Sequence, residues 1–282
     1  MTYSPSALQL QREEAKRRAS RRSIAIALAS TLTVGLILTI LITQAQGFDA
    51  VRESFFNPHY AKKAFPRVLD GIFLNLKVLL FAEFFVLLFG TLIAIARTTT
   101  SPVLYPLRLA ATAYTDIFRG MPLLLVLLLV GLGLPGLRIS WIPTSAVVLG
   151  TVALVLTYSA YVAEVIRAGI EGVNPTQRQA ARALGLTQSQ TLEHVVMPQA
   201  IRNVTPPLLN DLVSLQKDSG LISVLGAVDA IRAAGIQTAQ SFNFTPYLVA
   251  GAFFVLLTIP LTRYTDWLIR RQDRAQKAQG LF

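Results

Sequence analysis

In 282 residues the chain holds 53% hydrophobic and only 15% charged residues, and the apolar ones gather into runs near the roughly 20 residues that cross a bilayer. That excludes an ordinary soluble domain and predicts an all-α membrane protein. A net charge of +11 invites a nucleic-acid role, but the basic residues cluster as a membrane protein needs them. Arg12, Lys16, Arg17, Arg18, Arg21 and Arg22 precede the first run, and Arg270, Arg271, Arg274 and Lys277 follow the last, so no nucleic-acid partner is expected.

The basic tail, 1–23, leads into a run at 24–43. Its charged flank and Thr43-Gln44-Ala45 would suit a cleavable signal, but a secretory core has about 7 to 15 residues. Ile24 to Thr43 is long enough to span, so 24–45 is predicted to be an anchor. Residues 46–66 are predicted as an external loop. Further runs at 70–96, 104–134, 144–167, 204–228 and 247–269 make six predicted spans; the third is long enough to need a kink and the fifth is the least apolar. An even number of spans places both termini in the cytoplasm, in agreement with the basic flanks, and puts the 168–203 loop with Arg178, Arg182 and Arg202 on the same side. The 44–66 loop itself carries Arg52, Lys62 and Lys63, so the first span's orientation rests on its flanking cluster and on parity. Residues 271–282 read as a charged cytoplasmic tail.

A polar, cap-rich interlude at 174–198 separates the fourth and fifth runs. Asn174, Pro175 and Gln177 combine an N-cap, a first-turn proline and a capping-box partner, which starts a helix at Pro175. Gly185 ends it. Thr187 and Gln190 repeat the capping box and start a second short helix, expected to run only to about Met197 because Pro198 follows. Ala180, Ala181 and Ala183 leave a shallow face that another protein can approach, with Leu184 and Leu186 beside the glycine.

Gln179-Ala180-Ala181, three residues, Gly185, nine residues, then Val195, Val196, Met197 and Pro198 is similar to the EAA loop of bacterial ATP-binding-cassette (ABC) importer permeases, Glu-Ala-Ala, three, Gly, nine, Ile-x-Leu-Pro. Phe118-Arg119-Gly120-Met121-Pro122-Leu123-Leu124 resembles the FRGTPLL element of the polar amino-acid importers in that family. Ala160 to Gly169 resembles AYxAEIxRAG, and Met197-Pro198-Gln199-Ala200 resembles LPQA. Pro206-Pro207-Leu208 and Lys217-Asp218-Ser219 extend the likeness.

The resemblance implies a type I ABC importer permease fold: a five-span core at 67–270 with one extra N-terminal span, in a bacterial inner membrane. It implies as partners an ATPase subunit pair, a second permease subunit (the same chain or a homologue), an external solute-binding protein and a polar amino-acid substrate. Gln179, Ala180, Ala181, Gly185, Leu186 and Pro198 would contact the ATPase. No GxxxxGK[ST] stretch occurs, so ATP and Mg would be bound by the partner and no cofactor by this chain. Three departures stand out, one being Thr176 where the family usually has glycine before Gln177. The EAA glutamate is Gln179, which loses the charge, and Gly220 follows Lys217-Asp218-Ser219 where the family more often reads Lys-Asp-Thr-Ser-Leu.

A charge at the centre of a membrane helix costs at least about 2.5 to 3.5 kcal/mol on insertion, so the few within the runs mark a candidate pathway. They are Glu83, Arg119, Glu164 and Lys217, together with Gly120 and Pro122, which interrupt the third run and free backbone groups that could line a water-filled route. Asp116 with Arg119, Glu164 with Arg167 and Lys217 with Asp218 are close enough in sequence to be architectural pairs instead. Glu83, with only the more distant Lys77, either lines the cavity or sits protonated within the bundle. His59 and His194 suggest no metal site, and no catalytic constellation is visible. The remaining function classes are an ion-gradient-driven secondary transporter, with Glu83 as the coupling residue, and a membrane-embedded enzyme, for which an interfacial carboxylate or histidine cluster is missing.

Overall fold

Every long apolar run becomes helix in the computed structural model, which describes residues 7–99 and 101–278. Thr100 and the extreme ends lie outside the described residues, as do the side chains of 7–21, 273 and 275–278, and with them the flanking charges Arg12 to Arg21 and Lys277. No strand occurs among the described residues.

The chain divides into two units, Met1–Phe56 and Asn57–Phe282. The first holds α1 (Ala7–Thr43) and α2 (Phe48–Phe55), joined through Gly47 at φ 97°. Within its apolar part the hydroxyls of Thr31, Thr39 and Thr43 each donate at 2.8 Å to the carbonyl four residues back, which hides them from lipid. Much of the segment expected to be a loop, 46–66, is helical: it contains α2 and the first turns of α3.

In the second unit α3 (Pro58–Thr98) starts at the N-cap Asn57, whose side chain accepts from the His59 N–H. It packs beside α6 (Ala146–Glu171). Val78, Leu79, Ala82 and Val86 meet Leu154, Tyr158 and Val162 there, joined by Leu215 and Ile222 from a third helix. Gly90 permits the closest approach, since a Cβ in its place would stand 2.5 Å from Val162 Cγ1.

The third run is not one kinked span. It is two helices, α4 (Tyr105–Gly120, after a 3₁₀ turn) and α5 (Leu123–Gly136, with a π turn at Leu129–Gly133), bent by 106°. Proline drives its preceding residue out of the helical region, and Met121 is extended at ψ 138°, so helix stops at Gly120 and restarts after Pro122.

After α6 comes α7 (Pro175–Ala183), then α8, which runs from Gln188 to Leu225. This corrects the expectation that the second loop helix ends near Met197. The turn before Pro198 widens into a π turn at Leu192–Val196, in which the Met197 N–H reaches the Leu192 carbonyl, and helix continues through Pro198, Pro206 and Pro207. The wide turn moves the proline ring off the preceding carbonyls, and Gln199 Nε2 donates to the Val195 carbonyl at 2.8 Å. The last residues of α8, Ser219–Leu225, tighten to 3₁₀ geometry.

The sequence assigns no element between the fifth run, ending at 228, and the sixth, where the structure has α9 (Ala230–Ser241). Gly226 at φ 92° and the N-cap Asp229, which accepts from the Arg232 N–H, create it, and it meets α8 at 49°. Asn75 on α3 secures this corner. Its Nδ2 donates to the Ser219 carbonyl and to Asp229 Oδ2, both at 3.0 Å, and its Oδ1 accepts from the Ala230 N–H at 3.2 Å. Finally α10 (Thr245–Ala278) packs on α3 and α9 through Ala250, Ala230, Ala233 and Ala234. Four described helices are long and apolar enough to cross a bilayer, and the bent pairs α4–α5 and α8–α9 raise this to six if each crosses as one span.

Candidate functional site

The polar loop between α6 and α8 is the most strongly specified site. Asn174 Oδ1 accepts from the Thr176 N–H at 2.9 Å and Pro175 occupies the first turn; the reciprocal arm expected from Gln177 is not made. Thr187 and Gln190 do form a complete capping box, 2.9 Å one way and 3.3 Å the other. Between them Gly185 adopts φ 88°, its N–H donating to Arg182 and the Leu186 N–H to Ala181, the two bonds of a Schellman turn. Gly185 therefore needs the left-handed conformation that only glycine enters cheaply.

Of the small-residue face, Ala181 turns inward, 5% exposed, while Gln179, Ala180, Ala183 and Gly185 face out beside Leu184 at 82% exposure. Leu186 is half-buried and Pro198 exposed. An exposed leucine at the tip of a polar loop, ringed by alanines, suits a protein groove better than water. The loop is firmly held behind this face: Val173, Val196 and Ala200 pack with Ile170, and the Arg178 guanidinium donates to the Ile170 carbonyl.

The candidate pathway residues fall into separate groups. Glu164 meets Arg97 on α3 at 2.7 Å, Arg167 at 2.6 Å and Arg119 on α4 at 3.7 Å. The expected Glu164–Arg167 pair is thus formed, but Asp116 and Arg119 make no ion pair, because Arg119 turns to Glu164. Lys217 and Asp218 do not pair either: Asp218 accepts from Tyr158 Oη at 2.7 Å, and Lys217 is exposed. Glu83 is partly buried on α3, and its charged neighbour is Asp211 on α8, whose Oδ2 is buried without a hydrogen-bond partner among the described residues. Gly120 and Pro122 lie exposed at the α4–α5 break.

Sequence reading missed Asp211 and Arg97. Asp211 is a lone acid in the least apolar run and was discoverable; Arg97, at the end of a span, looks like any flanking charge. A mostly apolar cavity of about 860 Å³, lined by Leu74, Lys77, Phe81, Phe85, Tyr114 and Val152 among others, includes none of the candidate pathway residues. No group of histidines and carboxylates among the described residues could hold a metal ion.

Residues 87–274 match the family described as binding-protein-dependent transport system inner membrane component. The chain belongs to that family. Among the permeases it is similar to, the probable glutamine ABC transporter permease protein GlnM of Bacillus subtilis (strain 168) is 37% identical over 216 residues, 75% of this chain and 95% of the relative. The arginine transport system permease protein ArtQ of the same organism is 33% identical over 70% of this chain and 88% of the relative. A crystal structure of an amino acid ABC transporter with histidines shares 35% identity at a TM-score of 0.68, over 74% of this chain and 95% of that one. An inward-facing MetNI methionine ABC transporter, 18% identical with a TM-score of 0.59, shares the fold. The permease is therefore a membrane subunit of an ABC importer with the type I fold, and the gradient-driven and enzymatic alternatives are set aside.

Proposed function

We propose that this permease translocates a polar amino acid delivered by an external binding protein, using ATP hydrolysed with Mg by a partner ATPase pair that docks on the α7 loop. It assembles with a second permease subunit, keeps both termini in the cytoplasm and performs no catalysis itself. The observation that carries the coupling is the Schellman-closed loop, which presents Gln179, Ala180 and Leu184 outward from a rigid base. Closure of the ATPases is passed through it as rigid-body motion of the spans.

For the substrate, names of relatives supply the class and Glu83 with Asp211 supply the chemistry. Two carboxylates with no cation between them, at membrane depth, attract the ammonium group that every amino acid carries. The test is uptake of a panel of labelled amino acids into liposomes holding the full assembly. Uptake should vanish without ATP, and Glu83→Gln or Asp211→Asn should lower it about tenfold or more at low substrate, the loss of a charged hydrogen bond. Gly185→Val should abolish uptake while leaving the chain in the membrane. Uptake that persists without the ATPase and follows an ion gradient overturns the reading.

A further inference from the structure

The last two turns of α6 join the loop to two other helices, α3 and α4, through one carboxylate. Glu164 Oε1 receives Arg167 Nη2 at 2.6 Å, and its Oε2 receives Arg97 Nη1 at 2.7 Å and Arg167 Nε at 3.1 Å. Arg119 Nη1 stands 3.7 Å from the same oxygen, beyond hydrogen-bond distance. Arg167 also bonds Glu171, one turn further on. These groups sit in partial shelter, with side-chain exposures of 10% for Arg97, 20% for Glu164 and 26% for Arg167, so the attraction is not screened away.

Each arm leads to a different part of the mechanism. Arg97 closes the last turn of α3, the helix that carries Glu83 and Asn75. Arg119 lies one residue before the break between α4 and α5. On the other side, the Ile170 carbonyl of the same two turns accepts from Arg178 of the loop helix, and Gly169 is so close to α8 that a Cβ there would fall 2.1 Å from Val204 Cγ1. A push on the loop is thus delivered to the end of α6, and Glu164 is the point from which it reaches α3 and α4.

We propose that Glu164 is a positioning residue for coupling: with Arg97 and Arg119 it carries the loop's displacement to the α3 end and to the α4–α5 break, rather than touching the transported solute. Three guanidinium hydrogen bonds take three of its roughly four acceptor sites, so the carboxylate is committed to arginines rather than to a solute. The inference rests on the coupled-importer reading.

The experiment reads the number of amino-acid molecules taken up per ATP hydrolysed by the reconstituted assembly. Glu164→Gln and Arg97→Gln should keep hydrolysis near the wild-type rate while lowering this ratio about tenfold. Glu164→Asp, which keeps the charge, should recover most of the loss. Arg119→Gln removes only the 3.7 Å contact of an exposed side chain and should leave the fold intact while lowering the ratio about two- to threefold. An unchanged ratio in Glu164→Gln, or in Arg119→Gln should the former fail to reach the membrane, overturns the proposal. A wild-type assembly without ATP-driven uptake overturns the importer reading instead.

Discussion

Asn75 shows how one polar side chain can hold a membrane bundle together. It is 2% exposed on the otherwise apolar buried face of α3, and its amide reaches a carbonyl, a carboxylate and a backbone N–H on the far side of the α8–α9 corner. In lipid no water replaces those partners. Asn75→Leu leaves the Ser219 carbonyl, the Ala230 N–H and one Asp229 oxygen short of a partner, each worth about 1 to 3 kcal/mol. The expected outcome is a fall of roughly 5 °C or more in the melting temperature of the detergent-solubilised chain, and Asn75→Asp, whose acceptor-only carboxylate faces Asp229 and the Ser219 carbonyl, should fall at least as far. A melting temperature within a degree of wild type means that the corner is held by Gly71 and its contact with Ala230 alone. There, a Cβ would come 2.3 Å from the Ala230 nitrogen.

Helices and their ends were legible in the sequence wherever a local rule acts without rivals. Asn174-Pro175, Gly185 and the Thr187–Gln190 box stand where capping chemistry puts them. Pro198 misled for an instructive reason: a proline costs a helix one hydrogen bond and a clash, but a π turn accommodates both, and nothing in the residues themselves announces that wider turn. Asp229 is equally hard to place from local pattern, because its partner Asn75 lies 154 residues away, a distance no pattern search covers. The candidate charges were found by type but not by partner, since Arg97, Arg119 and Glu164 come from three helices. The Pro122 break lies between these cases. If Pro122 alone excludes Met121 from helical geometry, Pro122→Ala should let α4 and α5 straighten. Spin labels at positions 110 and 132 should then move apart from the distance set by the 106° bend. An unchanged distance would show that packing of Val126 and Leu127 against Leu149 and Ala153 enforces the bend.

The distribution of charge over the chain makes one global statement, the direction in which it threads the membrane, and the helices alone are silent on it. Basic residues crowd at the start of α1, in the segment with Arg178, Arg182 and Arg202, and at the end of α10, and the positive-inside bias would put all three on the cytoplasmic side. The alternative orientation would carry these clusters across the bilayer and turn the exposed Leu184 away from any ATPase. Because the chain has no cysteine, a single introduced one is a clean reporter. Leu184→Cys, at an 82% exposed position, should resist a membrane-impermeant maleimide in intact cells and react after permeabilisation. Val51→Cys on α2, 51% exposed, should react in intact cells. The pair must give opposite answers, because an odd number of crossings separates α2 from the loop if α3, α4–α5 and α6 each cross once. Labelling of both positions in intact cells would mean that α4–α5 enters and leaves on the same face, a re-entrant pair rather than a span. The Arg119–Glu164 contact would then join the end of that re-entrant helix to α6, and the loop would face the binding protein instead of the ATPase.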